Sequence, residues 1–165
     1  MAAAAFLTLG LGLAPGACRA PADDDVDITF DPCAPLVIEL VAGATDAERA
    51  SVASGVAMWN TQAATRLTLD DVAGAPRLPL RFEKAASAFY GLYDDERGVV
   101  LVNDGFSDGH QRAVTVAHEI GHAFGLAHVE RNARLSLMNN GNLHIEPTAA
   151  DVTALAALWG RCGDR

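Results

Sequence analysis

Four apolar residues, Val52, Val56, Trp59 and Ala63, recur at spacings of four, three and four in an otherwise mixed stretch. That spacing gathers them on one face of a helix and predicts a long amphipathic helix over 46–65. Thr45 with Glu48 three residues on has the form of a capping box and marks its start. Short runs rich in β-branched and aromatic residues predict strands at 36–41, 67–69, 78–82, 88–93 and 98–102. A second helix is predicted from about His110 to Phe124, capped by Ser107 or Asp108 and ended by Gly125. Residues 127–146 carry no periodicity and are expected to be irregular. Thr148 opens a last helix, with Asp151 in its first turn, where a carboxylate suits the helix dipole. Val152, Leu155, Leu158 and Trp159 give that helix a core face, and Gly160 closes it. No internal repeat is present, and the mixture of elements is α+β.

The chain starts differently. Residues 1–14 are continuously apolar, the run breaks at Pro15-Gly16, and small residues follow at Ala17, Ala20 and Ala22. The run is too short to span a membrane and reads as an export signal over 1–22. The other reading is a buried helix, against which the Pro-Gly break and the Asp23-Asp24-Asp25 run both speak. Residues 23–34 are then an acidic linker, and 35–165 one domain, which is all that 165 residues allow. Three cysteines sharpen the picture. Cys18, in Leu13-Ala-Pro-Gly-Ala-Cys18, resembles a bacterial lipoprotein cleavage site, so it is either lipidated or removed with the signal. Cys33 and Cys162 remain. In an exported protein an even pair points to a disulfide, the alternative being two free thiols.

Half of the residues are apolar and a fifth are charged, a globular composition. The formal charge is −9 and Lys84 is the single lysine. Such a chain has no basic stripe to neutralise phosphates, so nucleic acid is not an expected partner.

The chemistry is concentrated in His118-Glu119-Ile120-Gly121-His122-Ala123-Phe124-Gly125-Leu126-Ala127-His128. On a helix, His118 and His122 lie four residues apart on one face, about 6 Å along the axis, and their imidazoles can converge on one ion. Glu119 sits beside the first ligand and can reach a water at the metal without binding the metal itself. Gly125 permits the sharp, left-handed turn that returns His128 as a third ligand. Three neutral nitrogens leave a fourth position for water, so the site is expected to be catalytic rather than structural. The expected mechanism is peptide hydrolysis, with Glu119 taking the water's proton and passing it to the leaving amine. The substrate is expected to lie extended along an exposed strand edge at about Gly98–Asn103.

The eleven-residue pattern resembles the signature of the metzincin clan of zinc metallopeptidases. Arg134-Leu-Ser-Leu-Met138-Asn is similar to that clan's methionine-containing turn, ten residues beyond His128. The short connection, and the tail from Pro147 through Asp151 to Leu158-Trp159-Gly160, are closer to matrixins and snapalysins than to larger members. The resemblance spans 36–160. It implies a zincin fold: a twisted, mostly parallel five-stranded sheet with two long helices, an active-site cleft, and a small C-terminal subdomain with one helix. It further implies one catalytic Zn2+ on His118, His122 and His128, Glu119 as general base and acid, and structural support from Gly125 and Met138.

Several departures narrow this. Only His110 and His144 are spare histidines, so the second, structural zinc of many matrixins is not expected. The acidic turns 94–96 and 104–108 leave Ca2+ open without a motif to support it. No Pro-Arg-Cys-Gly propeptide switch occurs, and Cys33 lies too close to the first strand to stand in for one. No tyrosine follows Met138, so an extra tyrosine ligand is not expected. His110 is read as a helix-start residue. His144 is either a substrate contact or a solvated loop histidine, and Tyr90 and Tyr93 either line the cleft or face the core. The expectation is a secreted or cell-envelope zinc endopeptidase, monomeric, meeting membrane only through a lipid anchor at Cys18. The alternative is an exported zinc-binding lipoprotein that engages a partner protein with little general proteolysis. Retention of Glu119 favours the enzyme, because binding alone requires no base.

Overall fold

The computed structural model describes residues 28–164; the expected signal at 1–22 and Cys18 lie outside them. Five strands and three helices follow in the order β1 (Leu36–Leu40), α1 (Asp46–Asn60), β2 (Leu67–Thr68), β3 (Arg77–Glu83), β4 (Gly91–Asp94), β5 (Val99–Asn103), α2 (Gly109–Ala123) and α3 (Ala149–Trp159), with a short 3-10 turn at Cys162–Asp164. The strands form one sheet in the order β2-β1-β3-β5-β4. Every pairing is parallel except β4 against β5. The fold is therefore α+β with a mixed sheet, as the element pattern implies. No described helix is long and apolar enough to cross a membrane.

Local chemistry explains the element ends. Thr45 and Glu48 make the expected capping box at the start of α1. That helix stops at Asn60 rather than at 65. The Asn60 side chain donates to the carbonyl of Leu67 at 2.8 Å and accepts the Leu67 amide at 3.1 Å, which turns the chain into β2 instead of prolonging the helix. Asp108 caps α2, its carboxylate accepting the amides of His110 and Gln111, and the two hydrogen bonds hold its pKa below the usual carboxylate value. Thr148 caps α3, and Asp151 completes a second capping box.

The core lies between the sheet and α1 and α2. Trp59 of α1 is fully buried, donates its indole N–H to the carbonyl of Ala117 at 2.9 Å, and meets Phe124 edge-to-face at 6.0 Å. α3 is fastened to the end of α2 by Trp159, whose indole donates to the carbonyl of Phe124 at 2.8 Å.

Residues before β1 lie against the domain: Phe30 donates its amide to the carbonyl of Ala123 at 2.9 Å, and Tyr93 donates its hydroxyl to the carbonyl of Ile28 at 2.7 Å. Cys33 and Cys162 form the expected disulfide, so the chain before β1 is joined to the chain after α3. One sequence expectation changes: the strand at Gly98–Asn103 is not an edge. β5 lies between β3 and β4, with partners on both sides. The free edge on that side of the sheet belongs to β4.

Candidate metal centre

α2 presents His118 and His122 from one face, and the chain then reverses at Gly125, whose φ of +86° is backbone that L side chains rarely adopt. The reversal returns His128 to the same point. The three Nε2 atoms form a triangle with sides of 3.1, 3.2 and 3.2 Å. A tetrahedral ion with nitrogen ligands at 2.0–2.1 Å sets them about 3.3–3.4 Å apart, so the triangle has the size that zinc requires.

The far side of each ring in α2 fixes the tautomer. His118 Nδ1 lies 2.8 Å from the carbonyl of Leu137, and His122 Nδ1 lies 2.7 Å from the carbonyl of Leu126. A carbonyl can only accept, so both Nδ1 atoms carry the proton and both Nε2 atoms offer a lone pair. Lone pairs this close repel one another unless a cation or proton lies among them. The donor set therefore fits zinc in number, spacing and protonation.

Burial reinforces the neutral state. It lowers the pKa of all three histidines, and that of His122, with two imidazoles beside it, to about 4. Burial acts oppositely on Glu119, pushing its carboxyl up to about 8, partly offset by a hydrogen bond from the Tyr93 amide. These shifts make a prediction for the metal-free protein. Below the ordinary histidine value of 6.5 the unfolded chain binds more protons at the histidines, so their contribution to stability is lost as pH falls from 6.5 toward 4. Glu119 behaves inversely: the folded chain keeps the proton, and stability is lost as pH rises from 4.5 toward 8. The histidines of the unfolded chain are still losing protons just above 6.5, so Glu119 dominates the change only from about pH 7 upward. The melting temperature of chelator-stripped protein should therefore fall between about pH 7 and 8, and Glu119→Gln should abolish the fall. An equal fall in the variant would refute the assignment.

A cleft of about 420 Å³ opens over the histidines. One wall is 88–93 and Asp95, the floor is Thr115, His118, Glu119 and His122, and the opposite wall is 140–142. β4 runs very close to α2: a Cβ on Gly91 would stand 2.7 Å from Glu119 Oε1 and 2.9 Å from Thr115 Cγ2. The Asn103 amide donates to the carbonyl of Tyr90 at 2.9 Å, so residues 90 and 103 are a hydrogen-bonded pair. Alternation then turns the backbone groups of Gly91 and Tyr93 away from β5, toward the cleft. The opposite wall is clamped by Arg131, which donates to the carbonyls of Asn140 at 3.0 Å and Gly141 at 3.1 Å.

Beneath the centre lies Met138, almost fully buried. A Cβ on Gly121 would stand 2.6 Å from its sulfur, so glycine there lets α2 settle onto the methionine. The turn that carries Met138 is held from α3: Asp151 accepts the Leu137 amide at 3.0 Å and the hydroxyl of Ser136.

The structure thus brings together His118, His122, His128 and Glu119, with Gly125 and Met138 in supporting places. Tyr90 lines the cleft and packs its ring on Phe106, with centroids 5.9 Å apart. Tyr93 contributes backbone to the cleft while its ring is buried, and burial raises its hydroxyl to about 12. His144 is exposed and does not line the cleft. His110 starts α2 and lies 3.9 Å from Glu146, away from the centre. Sequence reasoning missed Gly91, the 140–142 wall and the second role of Asp151. Only Asp151 left a signal, as the third residue of a helix cap.

No protein-family profile matches the sequence, and no curated protein sequence does. Among solved structures, the fold is similar to that of myroilysin, with a TM-score of 0.55 over 81% of this chain and 96% of that one, at 15% identity. At that identity the likeness is one of fold: the same sheet-and-helix scaffold underlies both chains.

Proposed function

We propose that the protein is an exported zinc-dependent endopeptidase of metzincin type, close to the small matrixin-like and snapalysin-like members. The observation that carries this reading is the convergence of three histidine Nε2 atoms beside a buried carboxylate, beneath a free strand edge. A binding module would need the histidines but not Glu119.

The ligands would be His118, His122 and His128. Zinc held there would supply a Lewis acid for the scissile carbonyl and make water acidic near neutral pH. The chain's own residues do the rest. An extended substrate adds to β4 through the outward backbone groups of Gly91 and the carbonyl of Tyr93, which fixes the scissile bond over the histidines. Glu119 takes the proton of the attacking water and delivers it to the departing amine. The 140–142 segment, clamped by Arg131, holds the other side of the substrate and restricts water. Export fits the disulfide between Cys33 and Cys162.

The test is a zinc titration followed by cleavage assays on casein and a peptide library, with and without chelator. One zinc per chain, with cleavage lost in chelator and restored by zinc, is the expected result. One zinc per chain without chelator-sensitive cleavage of any substrate would instead support a zinc-binding interaction protein.

A further inference from the structure

The buried side of His118 leads into a chain of hydrogen bonds that ends on a carboxylate. His118 Nδ1–H donates to the carbonyl of Leu137 at 2.8 Å. The other end of that same peptide unit is the Met138 amide, which donates to Ser136 Oγ at 3.0 Å. The Ser136 hydroxyl donates in turn to Asp151 Oδ1. Asp151 Oδ2 accepts the Leu137 amide at 3.0 Å, the Thr148 amide at 2.8 Å and the Thr148 hydroxyl at 2.8 Å. Ser136, Leu137 and Asp151 are all 0% exposed.

Capping α3 does not account for this arrangement. A capping box asks one thing of the third residue, a bond to the N-cap amide, which Oδ2 supplies from a helix end that could stay in water. Here the carboxylate is taken wholly out of water, a cost that four donors offset. Two of those donors belong to the turn behind His118, not to α3. Each link also faces the next in the polarising sense. An anion drawing on a hydroxyl makes its oxygen a better acceptor for the Met138 amide. A peptide unit loaded at its N–H presents a more negative carbonyl to His118. A ligand histidine whose other nitrogen donates to a carboxylate or carbonyl is a more basic ligand, with its ring held in place.

We propose that Asp151 is a positioning residue of the metal centre, its charge carried to His118 through the Ser136 hydroxyl and the 137–138 peptide unit. This rests on the zinc reading above. Leu137 is the junction, its amide held by Asp151 and its carbonyl shared by His118 and the Asn142 side chain, which donates at 3.0 Å.

The experiment is zinc affinity by chelator competition on folded protein, beside thermal melts, for wild type, Asp151→Asn, Ser136→Ala, the double variant and Leu155→Ala. Leu155 is buried on the same helix and has no part in the chain of bonds, so its truncation reports loosened packing alone. Asp151→Asn and Ser136→Ala should each weaken zinc about 10–100-fold. The double variant should bind no more weakly than the worse single one, because both cut one path. Leu155→Ala should lower the melting temperature and leave zinc affinity within about twofold of wild type. Should Asp151→Asn not fold, Ser136→Ala carries the test, since it leaves the carboxylate its bonds to Leu137 and Thr148. Wild-type zinc affinity in Ser136→Ala, simply additive losses in the double variant, or an equal loss in Leu155→Ala would each overturn the proposal. A wild-type protein that takes up no zinc would overturn the reading of the centre itself, which separates the two failures.

Discussion

Glu119→Gln is expected to bind one zinc per chain with near wild-type affinity and to lose about 10²–10⁴-fold in peptide turnover, the contribution typical of a positioned general base and acid. The geometry separates the two functions. Glu119 lies next to His118 in sequence, yet its carboxylate is not part of the histidine triangle and instead accepts the Tyr93 amide. Glutamine has the same length and can still accept that amide through its carbonyl oxygen. The contact between α2 and β4 should therefore survive, and with it the fold. What disappears is the ability to hold a proton and release it. The loss should fall on kcat and leave KM little changed, because an interaction made only along the reaction path is removed. Nor should the raised carboxyl of the metal-free protein persist when zinc is bound, since a nearby cation favours the charged form. On that argument the Glu119 carboxyl should be ionised at neutral pH with zinc bound and protonated without it. A Glu119→Gln protein within a few-fold of wild-type kcat/KM, at full zinc occupancy, would remove Glu119 from the mechanism.

Much of this site is legible in the sequence because it is local. Two histidines four residues apart can only share a helix face, and a glycine three residues before the third histidine is the residue that tolerates the reversal. Caps are local too: Thr45 and Thr148 stand where the sequence puts them, and of the two candidates Ser107 and Asp108 the structure selects Asp108. What escapes is decided across the chain. Val99–Asn103 and Gly91–Asp94 are equally good strands, and nothing within either says which one is the edge. That depends on β3, which pairs in parallel with β5 and leaves β4 outermost. β4 is also shorter than the pattern over 88–93, because the Asn103 side chain binds the carbonyls of Ala86 and Phe89 and holds the preceding residues in a loop. Asp151 is half legible for the same reason. Its bond to Thr148 lies within one helical turn, while its partners Ser136 and Leu137 lie 15 and 14 residues earlier, across an aperiodic loop. His144 illustrates the converse. Its place after the methionine turn makes it a candidate contact, but the Asn142 side chain accepts its amide and the ring is left in solvent.

Removing the disulfide should have the largest effect on stability. The bridge joins residues 129 apart, and on the chain-entropy argument closing so long a loop restricts the unfolded chain by about 5 kcal/mol. Domains of this size are stable by only about 5–15 kcal/mol in total, so the loss is a large fraction. The Cys33→Ala/Cys162→Ala variant, or the reduced wild type, should melt roughly 15 °C lower. The folded centre should barely change, because α3 is held by more than the bridge. Trp159 still donates to the carbonyl of Phe124, Leu155 remains buried, and Asp151 still grips the turn under His118. Zinc stoichiometry measured well below the melt should therefore stay at one per chain while the melting temperature drops. That pattern places the effect in the unfolded chain, where the bridge acts, and not in the site. Equal melting temperatures with and without reductant would mean that the bridge contributes nothing. A loss of zinc well below the melt would mean that the bridge, more than Trp159 and Asp151, keeps α3 against the metal centre.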